Sequence, residues 1–587
     1  MRLAATPEIR VGPAAAAVAL AAICALGLGV RLTAIDFGFP GLYHPDEIPI
    51  LNVALGFATL DLNPHRFLYP TLYYYALFAW EALYFAIARI AGVYPSVGAF
   101  QRDFFADPTR LVLVGRTLTT VFGVATLIAA YRFGSRLYDR ATGIGAALLL
   151  AVAPFAVRDA HYVKHDVPAT FFMVATMAAL ATIVVDPAAA SRRRSWLVTG
   201  ALSGLAMSTH WYAIAIVVPI IVAALIDVGR SGRWQTSFGL LVWAGVASVA
   251  GFFAASPFML VEWRVVVDNL LALKRIDIDR AVAGAGPVSS LLAYVAMFQH
   301  PAMGWSSVVL GVCGLAGAIW SDWRRGIVLA SLPVAFFLFL TSTVPVARYT
   351  NPMLPSIAVA ASWVIARLAG RLAKGASPAW AAMLLVAAVP GTWETLRLDA
   401  FFAQTDTRSQ GLAFVEREIA DGATILIQPY SVSPRVSREG LREALTRNLG
   451  SGPITSTKFN GMLAEPVRPP AYRLIYLGDH TDTGGDPDKI FISTRAFASD
   501  VGLRPLREMG VEYVILKGPS QADRTLPALE AALGREARLL ATFSPFRQDA
   551  DAERRAAVVP FEHNWAAGID PALDRPGPTI RIWRINP

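Results

Sequence analysis

The run Gly41-Leu42-Tyr43-His44-Pro45-Asp46-Glu47-Ile48 sets a histidine and two adjacent carboxylates between a first long apolar segment and a second, aromatic-rich one. Carboxylates beside a bilayer are costly unless they face water, a partner or a substrate, so membrane-edge Asp and Glu are functional candidates by default. The same residues have a bland reading, because Pro followed by two acids is also how a helix begins, with the carboxylates set against the positive end of its dipole. A second cluster, Arg158-Asp159-Ala160-His161-Tyr162-Val163-Lys164-His165-Asp166, mixes acids and cations between two apolar runs, and Arg348-Tyr349 heads another run. A carboxylate can take the proton of an acceptor hydroxyl, and Lys or Arg can stabilise a departing phosphate. Those are the requirements of glycosyl transfer from a lipid-phosphate donor, whose prenyl tail an apolar, aromatic-lined groove at the leaflet edge would admit. Each piece also has an ordinary role: Lys164 and His165 as snorkelling groups, Asp166 before Val167-Pro168 as a helix start, and Arg348-Tyr349 as an interface anchor. His65 and Arg66 fit loop solvation, and His210 and Trp211 fit packing. The joint placement of these residues is what favours chemistry.

The elements that must position them are membrane helices. A chain of 587 residues that is 55% hydrophobic and only 16% charged is too apolar for an ordinary soluble protein. The formal charge of +9 comes with arginines clustered between apolar runs, which suits cytoplasmic loops and argues against nucleic acid as a partner. Cys24 and Cys313 fall inside apolar segments and define no disulfide framework. Met1 to Arg31 has the basic flanks of a signal peptide, but its long apolar run lacks a small-residue cleavage site, so an uncleaved first span is expected.

Apolar segments near Val11–Val30, Leu111–Phe133, Ile144–Val157, Val167–Val185, Trp196–Met207, Trp211–Ile226, Phe238–Ala255, Met303–Trp320, Ile327–Thr341, Met353–Leu368 and Ala379–Val389 are the spanning candidates, about eleven in all. Basic clusters at Arg132/Arg136/Arg140, Arg192/Arg193/Arg194, Arg230/Arg233, Arg324/Arg325 and Arg367/Arg371/Lys374 recur at every second loop. The positive-inside rule therefore predicts a multi-pass protein of the cytoplasmic membrane, with the N-terminus inside and the C-terminal domain outside. Tyr69–Ile90 is apolar too, but counting it as a crossing would invert every later loop. Pro70, Glu81 and Arg89 interrupt it, and its tyrosines and Trp80 suit an interface, so a helix lying along or dipping into the outer leaflet is expected. The first outer loop then runs over about 32–110, and both acidic clusters share its side. Val261–His300 and 346–352 complete the outer segments. The plan is a membrane domain over 1–395 and an extracytoplasmic domain over 396–587. In the latter, β-rich runs at Ala423–Gln428, Tyr472–Leu477, Tyr513–Leu516, Arg538–Phe543 and Thr579–Arg584 alternate with helical patterns at Gln410–Ile419, Arg438–Thr446, Thr494–Met509 and Ala522–Leu533, which reads as α/β. No phosphate loop or metal-ligand spacing occurs in it, and docking or packing is its expected role.

These motifs resemble, in order and sidedness, the GT-C superfamily of membrane glycosyltransferases, in particular the protein O-mannosyltransferase and lipid A aminoarabinose transferase branch. That family's early Asp-Glu is matched by Asp46-Glu47, its Pro-Pro-Leu-like run by Tyr69-Pro70-Thr71-Leu72, and its second-loop Asp before Pro by Asp166-Val167-Pro168. Its late Arg-Tyr motif is matched, with shifted spacing, by Arg348-Tyr349-Thr350-Asn351-Pro352-Met353-Leu354-Pro355. The resemblance covers roughly Arg31 to Ser356 and the plan of a soluble outer C-terminal domain. It implies a polytopic α-helical fold, a polyprenyl-phosphate-linked sugar as donor, and a glycan, lipid or protein as acceptor. It implies Asp46 as general base, Glu47 in support, Asp166 positioning donor or acceptor, and Arg348 and Lys164 on the phosphate. His44, Arg66, His161, His165 and Tyr349 complete the expected substrate-binding set. Thr71 stands for the second Pro, and His210 stands where many relatives have Lys. Some members use a divalent cation, and three acidic oxygen ligands could hold Mg²⁺ or Mn²⁺, although no cofactor is required by the motifs. Two rival classes are a transporter or flippase, which should carry its charges near mid-membrane in two related halves, and a membrane-anchored glycan-binding protein, for which Asp46 and Asp166 would be dispensable.

Overall fold

The computed structural model describes residues 9–281, 286–299, 302–372, 377–450, 452, 454, 456–464, 467–478, 486–497, 501–518, 526–563 and 568–586. Lys374, His300 and parts of the expected helices at 494–509 and 522–533 lie outside the described residues. The chain divides into two compact units, one of 1–35, 46–83 and 114–399, the other of 36–45, 84–113 and 400–587.

The first unit is helical throughout the apolar segments. Among the described residues, eight helices are long and apolar enough to cross a membrane: Pro13–Leu32, Thr109–Leu137, Asp166–Val185, Trp211–Ser231, Trp234–Ala255, Trp323–Leu340, Ala347–Arg371 and Ser377–Glu418. A ninth is a pair, Arg140–Ala151 and Pro154–His161, bent by 63°, with Pro154 opening its second half. The two remaining expected spans are the shorter helices Arg193–Met207 and Trp305–Ser321. Leu72–Ile90 forms a helix of 19 residues that is not among the spanning set.

The short helices hold their places by close approach, because lipid supplies no hydrophobic drive between helices and small residues let backbones touch. A Cβ on Gly200 or Gly204 would lie 2.1 Å from the carbonyl oxygen of Ala244 or Ser248, and one on Gly314 would lie 2.1 Å from that of Ala360. Ser203 donates to Ser248 Oγ across the first of these seams at 2.9 Å.

In the second unit a six-stranded sheet runs in the order β3-β2-β1-β4-β6-β5, with β1 at Thr424–Ile427, β2 at Arg473–Leu477, β3 at Ile490–Ile492, β4 at Tyr513–Lys517, β5 at Ala537–Phe543 and β6 at Ile580–Ile585. The first four are parallel; β6 runs antiparallel to both β4 and β5. The buried run of β1 splits its side chains between two cores, Leu426 on one face with Val514 and Leu516, Ile425 and Ile427 on the other with Ile515 and Ile582, as a sheet covered on both faces requires. Strand β3 escaped the sequence reading because it is only three residues long. The expected helix at 494–509 is instead a 3₁₀ turn at Thr494–Phe497 and a short helix at Arg504–Glu508.

Candidate active site

Asp46 and Glu47 part company at once. Asp46 is the residue before the helix Glu47–Gly56, its side chain is a third exposed, and it pairs with the Nζ of Lys164, whose side chain is buried. Glu47 is fully buried: Arg116 Nε and Nη2 donate to its two oxygens at 2.9 and 2.8 Å, and the Val163 N–H donates at 3.1 Å. Arg116 donates again to the Ile35 carbonyl at 2.7 Å. Glu47 thus fastens the helix that begins after Asp46 to the Thr109–Leu137 helix and to the loop carrying Lys164. A buried bidentate pair of this kind is strongly destabilised when one partner is removed.

Lys164 also donates to the Tyr69 hydroxyl at 3.1 Å. The Tyr69 ring stacks on His165 at 4.2 Å with an interplanar angle of 10°, and Tyr73 and Tyr74 meet the same imidazole edge-on. His165 is fully buried, and neither ring nitrogen has a hydrogen-bond partner among the described residues. Burial first, then the neighbouring His210 and Lys164, holds its pKa well below the usual histidine value. The His210 imidazole, buried against Lys164 and Arg348, is held neutral in the same way.

Asp166 is the first residue of the Asp166–Val185 helix. Tyr212 Oη donates to its Oδ1 at 3.3 Å, while Oδ2 faces Arg348 Nε at 3.8 Å, beyond hydrogen-bond reach, and accepts no hydrogen bond among the described residues. The Arg348 guanidinium lies 5.2 Å from the centroid of Tyr349, whose hydroxyl donates to Asp277 Oδ2 at 3.4 Å. Asp277 sits on a π-helical turn, Arg275–Asp279. Burial pushes its carboxyl up, against the pull of Arg348, Tyr349 and Lys164. The His210 ring meets Tyr69 at 5.1 Å and Tyr349 at 6.3 Å between centroids, so the separate pairs form one polar cluster.

The structure therefore brings together Asp46, Lys164, His165, Asp166, Arg348 and Tyr349 and leaves other candidates apart. Arg66 is exposed; its loop is held by Glu262, which accepts from Asn63 at 2.5 Å and contacts His65 at 2.7 Å. Both His161 ring nitrogens face backbone carbonyls, of Val157 and Thr33, at 2.9 Å, a bridging position. His44 is buried within the 36–45 segment of the second unit. The sequence reading missed Arg116, Tyr212 and Asp277. An Arg deep inside the apolar run 111–133, far from the cluster at its end, was a usable signal for Arg116; Asp277 lies in a mixed-charge stretch with no pattern to single it out. Among the described residues no three His, Cys, Asp or Glu side chains are grouped to hold a metal, and Asp46, Glu47 and Asp166 each face a cation of the protein.

The family model of dolichyl-phosphate-mannose-protein mannosyltransferases matches residues 111–260, which include Lys164 and Asp166. No curated protein matches the chain by sequence. Among solved structures, the archaeal oligosaccharyltransferase AglB from Archaeoglobus fulgidus, in complex with an inhibitory peptide and a dolichol-phosphate, superposes on 97% of this chain and 88% of its own, with a TM-score of 0.51 at 12% identity. The fold is that of the GT-C membrane glycosyltransferases. ArnT from Cupriavidus metallidurans, bound to undecaprenyl phosphate, shares it over 90% of this chain and 97% of its own, with a TM-score of 0.51 at 13% identity. The polar cluster gathers on this GT-C fold at the ends of helices, where the sequence had grouped its acids and cations.

Proposed function

We propose that this protein transfers a glycosyl group from a polyprenyl-phosphate-linked donor to an acceptor on the outer face of the cytoplasmic membrane. The carrying observation is a buried cluster with unused hydrogen-bonding capacity: Asp166 Oδ2 and both nitrogens of His165, beside Asp46, Lys164 and Arg348. Buried polar atoms are nearly always satisfied, and exceptions gathered in one place fit a substrate that completes them. The mannosyltransferase family match and the lipid phosphates in AglB and ArnT support the donor class.

In this reading Lys164 and Arg348 hold the donor phosphate, and Asp166, steadied by Tyr212, orients the sugar. The donor phosphate draws Lys164 from Asp46, which then accepts the proton of the acceptor hydroxyl. The acceptor oxygen bonds to the anomeric carbon as its bond to the phosphate oxygen breaks, and that electron pair leaves on the phosphate, stabilised by Arg348 and Lys164. Glu47 acts at a distance, by holding the backbone that presents Asp46.

The test compares polyprenyl-linked sugars and surface glycans in a deletion strain and its complement, then follows transfer from the accumulated lipid by the purified protein in nanodiscs. Accumulation of one lipid-linked sugar and its turnover by the protein are expected. Movement of the intact lipid across the bilayer without transfer would establish a flippase instead.

A further inference from the structure

Asp166 opens the Asp166–Val185 helix, and beyond the far end of that helix the chain carries three consecutive arginines, Arg192, Arg193 and Arg194, all exposed. The Arg193–Met207 and Trp234–Ala255 helices pack side by side and run the same way, since Gly200 meets Ala244 and Gly204 meets Ser248. That register brings Arg233, exposed and just ahead of Trp234, to the same end as the three arginines. Among the described residues none of these four side chains has an acidic partner. The acids nearest to them in the sequence are engaged: Asp227 pairs with Arg230 at 3.0 Å and accepts from the Ser237 hydroxyl at 2.6 Å, and Asp186 accepts from the Ala188 N–H at 2.9 Å. Four positive charges therefore gather at this end without a negative charge of the protein to balance them.

Arg193 is held against the helix surface. Its guanidinium carbon lies 3.3 Å from the ring centroid of Trp243, the tenth residue of the Trp234–Ala255 helix, which at 1.5 Å per residue is about 13 Å along from Trp234. That ring is 39% exposed, and the exposed positions beside it are Val242 and Val246. An arginine near a helix end ordinarily extends toward water; this one lies on an outward-facing apolar surface, where an unbalanced cation is costly. Stacking occupies the face of the guanidinium and leaves its in-plane N–H donors available, in the fork geometry that pairs with phosphate oxygens.

We propose that Arg193, seated on Trp243 and surrounded by Arg192, Arg194 and Arg233, binds the phosphate of an anionic phospholipid in the leaflet at this end of the bundle, with the acyl chains against Val242 and Val246. The anionic class follows from the surplus charge. A zwitterionic headgroup brings its own cation, which the arginines repel, whereas a phosphatidylglycerol-type headgroup brings only the negative charge that the site lacks. The binding does not depend on the proposed glycosyl transfer.

The test is native mass spectrometry of the full-length protein in detergent, titrated with dioleoylphosphatidylglycerol or dioleoylphosphatidylcholine and read as the apparent Kd of the first bound lipid. Phosphatidylglycerol is expected to bind at least tenfold more tightly than phosphatidylcholine. Arg193→Ala should weaken phosphatidylglycerol about tenfold, the worth of a charged hydrogen bond, and Trp243→Leu should weaken it too, because the guanidinium loses its seat. Arg264→Ala removes another exposed arginine beside a tryptophan, 5.5 Å from the ring centroid of Trp263, and should stay within twofold. Without added lipid, Arg193→Ala should melt at the wild-type temperature, since the side chain it removes is exposed. Equal affinity for the two lipids, undiminished phosphatidylglycerol binding by Arg193→Ala, or an equal loss in Arg264→Ala would each overturn the site. A clear fall in the lipid-free melting temperature of Arg193→Ala would overturn it too, by making the stack structural. Displacement of the lipid by millimolar glycerol 3-phosphate would overturn the lipid as occupant in favour of a soluble phosphate. Selective phosphatidylglycerol binding with these effects, in a protein that shows no sugar transfer, would uphold the site and overturn only the proposed reaction.

Discussion

Two neighbouring carboxylates with different surroundings should fail differently, and the contrast between Asp46→Asn and Glu47→Gln tests the site more sharply than either change alone. Asp46 is a third exposed, and Asn keeps an oxygen that Lys164 can still reach, with the Tyr69 hydroxyl as a second partner. The stability cost is then the difference between a charge-assisted and a neutral hydrogen bond, about 1 kcal/mol. The rate should fall about a hundredfold to ten-thousandfold, because a missing general base costs that much. Glu47 has no exposure, and its two oxygens take two Arg116 donors and a backbone N–H. Glu47→Gln replaces one acceptor with an NH₂ and leaves the buried Arg116 charge uncompensated, which should cost about 3 to 5 kcal/mol. Thermal unfolding in nanodiscs, paired with single-turnover transfer from the lipid-linked donor, separates the two. Wild-type turnover by a folded Asp46→Asn protein would sink the general-base assignment, and a normally stable Glu47→Gln protein would refute the account of the buried pair.

Arg348→Ala should weaken donor binding by about 1.5 to 3 kcal/mol, the worth of a charged hydrogen bond, read from donor titration; unchanged affinity would remove Arg348 from the phosphate. Asp166→Asn should lower turnover through positioning with smaller effect than Asp46→Asn, and equal or greater loss would exchange their roles. His165 and His210 have depressed folded-state pKa values, so above about pH 6.5 neither state is protonated, and below it the unfolded chain binds protons that the folded chain refuses. Stability should therefore fall by about 1.4 kcal/mol per pH unit for each histidine as the pH drops below about 6.5, and a melting series from pH 7 to 5 should flatten in His165→Gln. In a cysteine-free background, exposed positions 60 and 192 should label from opposite sides of the membrane, Leu60→Cys from outside and Arg192→Cys from inside; labelling from one side breaks the topology.

Much of the helical plan was legible in the sequence because a bilayer demands long apolar runs, and each of the eleven expected segments overlaps a helix. Five of the six strands were legible for a related reason, since a doubly covered sheet needs short apolar runs between turns; Ile490–Ile492 is too short to stand out. The acids and cations at helix ends were likewise visible as charges where charge is expensive. What the chain alone could not decide is which partner each charge takes. Asp46 and Glu47 are adjacent letters, yet helix geometry sends one toward Lys164, 118 residues away, and the other toward Arg116, 69 residues away. Asp277 joins the cluster only because its π-helical turn meets Tyr349, 72 residues on. Periodicity and composition are local and survive in one dimension, whereas pairing, burial and backbone strain exist only once distant segments meet.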